Sequence, residues 1–243
     1  RLLSSYPRLK VRYLIRKDRL WAEFFDKRLS GIIEGIFKNN NIELIYKSEV
    51  YGIIKNRGNF SIVLKNKKEL TTDSIGIFEP LLPNLGFLEG TNVKIGDKGV
   101  FIDENYMTSD KNIYAAGDAA LRYGERDFCF VNSWQSAWQD GRNAAFSMAG
   151  KPIIGKNTRI ISFRIFDKPY LSIGYTNPAS SKEYEDIISP EGIEAYKKIT
   201  LSKNLVRGAV FFGDVRNFAK IEELISKKAR LKSDEVKLLR KIF

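Results

Sequence analysis

The stretch "KGVFIDENYMTSDKNIYAAGDAA" (98–120), followed by "SWQSAWQDGRNAAFSMAG" (133–150), decides the fold. Apolar residues make "GVFID" (99–103) a short strand and Ile113 to Ala116 a second, buried one. That second strand runs into Gly117-Asp118. Alone, such a pair is a turn, with Gly supplying the backbone angles and Asp bonding a neighbouring amide. The stretch after it has helical spacing, with Trp134, Ala137, Trp138, Gly141, Ala144, Ala145 and Met148 on one apolar face. Asn132 or Ser133 caps its N-terminus and Gly150 ends it.

Upstream, "VRYLIR" (11–16) has the composition of a buried strand. "FDKRLSGIIEGIFKNN" (25–40) follows as a helix with Leu29, Ile32, Ile33, Ile36 and Phe37 on one face. After the Asn39-Asn40-Asn41 run, "IELIYKS" (42–48) begins another strand. "VYGIIKNRGNFSIVLKNKKEL" (50–70) is a hairpin turning at Arg57-Gly58-Asn59, and "SIGIF" (74–78) is a last, fully buried strand. The Pro- and Gly-rich loop "EPLLPNLGFLEG" (79–90) separates this part from the opening stretch. Downstream, "RIISFRIF" (159–166) and "YLSIGY" (170–175) flank an Asp-Lys-Pro turn. "YKKITLS" (196–202) and "LVRGAVFFGD" (205–214) flank a tighter turn, and helical runs near 216–227 and 233–243 follow. Strands followed by helices describe an α+β unit.

The composition removes several chemistries. The 243 residues contain no His and a single Cys, Cys129, which excludes an internal disulfide, a CxxC pair, a His-based triad and a His-ligated metal. No metal site is expected, and no residue stands out as a catalytic acid or base. A net charge of +12 invites a nucleic-acid reading, but the cations are scattered and match no nucleic-acid module. Abundant Lys, Ile and Glu with little Gln, Cys and His is thermophile-like. No run of about 18 apolar residues or signal-peptide pattern is present, so no membrane span is expected and a cytoplasmic location is.

The two opening stretches together resemble the second FAD-contacting segment of the pyridine nucleotide-disulfide oxidoreductase family, in its NADH oxidase, rubredoxin reductase and nitrite reductase flavoprotein branches. The resemblance implies an α/β fold: the remainder of a Rossmann-like NAD(P) domain (1–79), the C-terminal part of an FAD domain (80–156) and a small α+β interface domain (157–243). It implies that Asp118 bonds a ribityl hydroxyl of FAD, with Gly117 admitting the close approach. It further implies that the amides around Asn132, Ser133 and Trp134 face the pyrimidine edge of the flavin, where reduction places negative charge.

In the same resemblance, Arg16 and Lys17 stand where the NAD(P) ribose is recognised, and basic residues there suit the 2′-phosphate of NADPH. Pro83 and Asn84 match a Gly-x-x-Pro-Asn turn, with Pro80 in place of the Gly, a departure that puts ordinary nicotinamide binding in question. Cys129 lies after the Gly-Asp pair and is expected to be a small buried hydrophobe, not a redox cysteine. Gly213-Asp214 is expected to be a strand-to-helix turn and N-cap, not a second flavin contact.

The implied activity is that of the C-terminal portion of an FAD-dependent NAD(P)H oxidoreductase: hydride passes from nicotinamide to flavin N5, then electrons pass to a small-molecule or small redox-protein acceptor. The family's two glycine-rich phosphate loops are expected upstream of position 1. A non-catalytic structural or partner-binding subunit stays open beside this reading. So do one half of a split flavoenzyme completed by a missing N-terminal half, and a homodimer formed through the C-terminal domain.

Overall fold

A computed structural model describes residues 9–22, 24–78, 82–122, 133–153, 160–176, 184–189 and 195–242, and divides the chain into two units, Arg1–Pro80 and Leu81–Phe243. Asn132, Pro80 and Cys129, singled out above, lie outside the described residues.

In the first unit, β1 (Val11–Leu14) and β2 (Ile42–Ile45) pair in parallel, and α1 (Lys27–Asn39) connects them. A parallel pair needs such a crossover, because no tight turn can return the chain to the same end of the sheet. Asp26 starts α1 by accepting the amide of Leu29 at 2.9 Å, and Leu29, Ser30 and Ile33 form its buried stripe. Three antiparallel strands follow in sequence order: β3 (Val50–Lys55), β4 (Phe60–Leu64) and β5 (Glu69–Thr72).

The segment 74–78 departs from expectation: it is not a strand, and Ile77 and Phe78 are 71% and 86% exposed. Apolar content made it look like an interior strand. Among the described residues, however, the parallel sheet has only two strands, and neither pairs with this segment.

The second unit opens with β6 (Ile95–Gly96), β7 (Gly99–Ile102) and β8 (Ala120–Arg122), with β7 and β8 parallel. Gly99 lets these backbones meet: a Cβ there would lie 2.8 Å from the carbonyl oxygen of Ala119. The expected strand at Ile113 to Ala116 is reduced to one bridge, Met107 to Tyr114, and Ile113 is 36% exposed. Turn hydrogen bonds take the place of a ladder, such as Ala115 N–H to the Tyr106 carbonyl at 3.1 Å. Helix α2 (Trp134–Met148) begins where the sequence places it.

The rest is a five-stranded antiparallel sheet covered by two helices. Its strands are β9 (Ile160–Ile165), β10 (Lys168–Gly174), β11 (Glu185–Ile188), β12 (Tyr196–Ser202) and β13 (Leu205–Phe212), in the spatial order β11-β12-β13-β10-β9. Helices α3 (Phe218–Ser226) and α4 (Ser233–Ile242) follow. Ile173, Ile199, Leu201, Ala209 and Phe211 from the sheet pack with Phe218, Ile221, Ile225 and Val236 from the helices. Lys203 and Asn204, both left-handed at φ 50° and 61°, form the two-residue turn between β12 and β13. Among the described residues, no helix is long and apolar enough to cross a membrane, and no group of three or more His, Cys, Asp or Glu could hold a metal.

Candidate flavin site

Gly117, Asp118 and Ala119 form a single 3-10 turn between an extended Ala116 and β8. Gly117 has φ +70°, a conformation that strains any residue with a Cβ. A Cβ built on it would lie 3.3 Å from the Cβ of Ala137 on α2. The turn therefore rests on α2 one helical turn beyond its N-cap. Asp118 is exposed and makes no hydrogen bond or ion pair among the described residues.

Ser133 caps α2: its Oγ accepts the amide of Ser136 at 3.1 Å and donates to the Ser136 hydroxyl at 2.8 Å. The other first-turn amides, at Trp134 and Gln135, have no acceptor inside the helix, as at every helix N-terminus, and the helix dipole adds partial positive charge there. Gly117, Asp118, Ser133 and Trp134 thus belong to one locality of the second unit.

The orientation of α2 corrects the expected apolar face. Trp134, Trp138 and Met148 are 86%, 56% and 60% exposed, and Gly141 and Ala145 are exposed with them. Of that stripe only Ala144 is buried, and Ala137 partly so. Asp140 and Asn143 point inward instead, at 1% and 0% exposure. The helix turns this way because its inner surface is polar and has a polar partner waiting for it.

That partner is Tyr106, which is fully buried. Its hydroxyl donates to Asp140 Oδ1 at 3.0 Å and accepts from Asn143 Nδ2 at 3.2 Å. Gln139 Nε2 donates in turn to Asn143 Oδ1 at 3.1 Å. The Arg122 guanidinium lies 4.6 Å from the centre of the Tyr106 ring and 3.9 Å from Asp140 Oδ1. Burial pushes the Tyr106 phenol up to about 12, and the Asp140 charge adds to the rise, while Asn143 and Arg122 oppose it. Tyr106 holds this place at φ +65°, a left-handed conformation that costs a non-glycine residue on the order of 1 kcal/mol.

None of Tyr106, Arg122, Asp140 and Asn143 was singled out from the sequence. One signal was available: Asp140 and Asn143 are three apart on a helix, and so share a face that apolar counting ignores.

Arg16 and Lys17 lie in the first unit, exposed, just past the C-terminal end of β1. The Lys17 carbonyl accepts the amide of Lys47 at 3.0 Å. Glu49 is near enough to feel Arg16, although the lowering of its carboxyl comes first from Lys65, which bonds it at 2.6 Å. In the second unit, Asn84 Oδ1 meets the Gly86 amide at 3.5 Å.

The donor set suits a flavin. A free carboxylate accepts well from the hydroxyls of a flexible polyol, and a helix N-terminus suits an electron-rich ring edge. The fold around this set is that of nucleotide-dependent reductases, as comparison with known proteins bears out. The family described as "Pyridine nucleotide-disulphide oxidoreductase" matches residues 3–141, and "Rubredoxin NAD+ reductase C-terminal domain" matches residues 162–229. The chain belongs to the pyridine nucleotide-disulphide oxidoreductase family, whose members are FAD-dependent oxidoreductases of NAD(P)H.

Among its relatives, the NADH-dependent phenylglyoxylate dehydrogenase subunit epsilon of Aromatoleum evansii is 23% identical over 161 residues, 65% of this chain and 38% of that one. The CoA-dependent NAD(P)H sulfur oxidoreductase of Pyrococcus abyssi is 29% identical over 113 residues, 46% of this chain and 25% of that one. The reductase in the covalent putidaredoxin reductase–putidaredoxin complex superposes with a TM-score of 0.78 at 16% identity, over 93% of this chain and 54% of that one. The chain thus spans at most about half the length of these three relatives.

Proposed function

We propose that this chain supplies the ribityl-holding turn and the flavin-facing helix terminus of an FAD-dependent NAD(P)H oxidoreductase. The observation that carries the reading is Asp118: an exposed carboxylate, unpaired among the described residues, on a turn that only glycine enters without strain and that lies over α2 just beyond its N-cap. When bound, FAD would accept hydride from the nicotinamide at N5 and pass electrons on.

The protein's own part is orientation and electrostatics. Asp118 accepts from ribityl hydroxyls, Gly117 keeps the turn low against the helix, and the amides around Ser133 and Trp134 favour negative charge on the reduced ring. Arg16 and Lys17, past the end of a parallel strand, serve the ribose phosphate of NADPH. Residues 1–79, 80–156 and 157–243 then correspond to NAD(P), FAD and interface parts. A small redox protein as acceptor draws support from the partner bound to the putidaredoxin reductase.

The test is flavin uptake. Purified protein incubated with FAD and desalted should stay yellow, and NADPH should bleach it. Asp118→Ala should weaken FAD binding at least tenfold without lowering the thermal midpoint. Equal affinity in the variant would remove Asp118 from the site.

One observation favours a second reading, half of a split flavoenzyme: the bare apolar stripe Trp134, Trp138 and Met148 beside the proposed berth. In that case the protein alone is colourless, and colour appears on mixing with a second polypeptide.

A further inference from the structure

Tyr106 combines three properties that seldom coincide. It is a non-glycine residue held at φ +65°, it is fully buried, and both hydrogen-bonding capacities of its hydroxyl are used on one helix. Strained residues persist only where their surroundings over-determine them.

Here the surroundings come from two directions. On the backbone side, Asp103 accepts the amides of Asn105 and Met107 at 2.8 and 2.9 Å, which closes the turn around Tyr106. The Tyr106 carbonyl then accepts the amide of Ala115, two residues before Gly117. On the side-chain side, the phenol joins Asp140 and Asn143 of α2, with Arg122 over the ring and against Asp140. A single residue thus grips the segment that ends in Asp118 and the helix that Ser133 caps.

We propose that Tyr106 is a positioning residue that fixes the Gly117-Asp118 turn against the N-terminal half of α2, and so sets the spacing between the two halves of the proposed flavin berth. The proposal rests on the flavin reading above. Tyr106 touches no cofactor in it; it acts through Ala115 on one side and through Asp140 and Asn143 on the other. The Gly117 turn lies over Ala137 with no room for a side chain between them, so a shift of the helix alters where the carboxylate stands relative to the helix amides.

Tyr106→Phe keeps the ring and removes both hydrogen bonds. Amide exchange should accelerate at least tenfold at Ala115, which bonds the Tyr106 carbonyl, and over 137–140 of α2, while β12 and β13 of the same unit keep their wild-type rates. In the FAD-loaded protein the variant should bind FAD at least fivefold more weakly, and the flavin reduction potential should move. Asn143→Ala, which removes one of the two Tyr106 hydroxyl bonds together with the Gln139 bond and leaves the tyrosine, should change each quantity in the same direction by less, and serves if the phenylalanine variant does not fold.

Unchanged exchange at Ala115 and over 137–140 would overturn the proposal, as would acceleration spread evenly through β12 and β13. If wild type holds FAD and the variants match its affinity and potential, the coupling to the flavin is wrong while the flavin reading survives. If wild type takes up no FAD, either alone or mixed with a second polypeptide that completes the site, the flavin reading and the assignment to its berth both fail, and the exchange rates still decide whether Tyr106 ties the turn to the helix.

Discussion

Gly117 and Ala137 meet so closely that a Cβ on the glycine would stand 3.3 Å from the alanine Cβ. Two separate penalties therefore attend Gly117→Ala: the strained φ of +70° and the crowding against α2. We expect a loss of roughly 1–2 kcal/mol in urea unfolding. With Ala137→Gly as the background, whose own helix cost of about 1 kcal/mol is measured separately, Gly117→Ala should cost less, because the crowding share is gone and only the backbone share is left.

The outward stripe of α2 can be checked optically. Trp134 is 86% exposed and Trp138 is 56% exposed, whereas Trp21 is half-buried. Iodide should quench most of the tryptophan emission, and Trp134→Phe should remove the most readily quenched fraction. A helix with its apolar face turned inward would show little quenching at either position.

Lys197 is buried on β12, and its Nζ donates to Asp214 Oδ2 at 2.7 Å. Arg216 chelates the same carboxylate, which holds Asp214 well below the usual carboxylate range, with Lys197 adding to the effect and burial opposing it. A depressed folded value means stability that is present above the ordinary value of 3.8 and lost as pH falls towards the folded one. Asp214→Asn should cost about 3 kcal/mol at neutral pH, because Lys197 loses its counter-charge. Below about pH 4 the wild type should lose stability with acid faster than the variant.

Alkali should act on Tyr106 in the opposite sense. Its phenol rises from 10.0 to about 12, so the unfolded chain releases that proton first. The folded state keeps its full advantage below pH 10 and loses it as pH climbs towards about 12. Denaturant titrations at a series of alkaline pH values should show a shallower decline in Tyr106→Phe than in wild type.

The Gly-Asp turn, the start of α2 and the β12–β13 hairpin were legible because each rests on local chemistry: a glycine at positive φ, a serine N-cap, left-handed residues between strands. The expected Asp-Lys-Pro turn falls instead at Phe166-Asp167, with Lys168 and Pro169 already paired in β10. Gly213-Asp214 makes the expected turn, with Asp214 bonding the Arg216 amide at 2.9 Å, but the N-cap of α3 is Asn217 and not Asp214. What was not legible depends on neighbours distant in sequence. "SIGIF" has the composition of a strand, but strand formation needs a partner edge. The apolar face of α2 obeyed helical periodicity, yet Asp140 and Asn143 won the interior because Tyr106, more than thirty residues upstream, offered a hydroxyl that bonds both. Periodicity reports which residues share a face. It does not report which face a buried polar partner will claim.

The two-residue turn at Lys203 and Asn204 also bears on folding kinetics. Strands β12 and β13 close on each other across almost no chain, so their loop-closure entropy is small. The parallel partners β1 and β2 must instead wait for a whole helix to be laid between them. The β12–β13 hairpin should therefore act as the nucleus of the C-terminal sheet, with Ala209→Gly slowing refolding more than it speeds unfolding, and β1 substitutions doing the reverse.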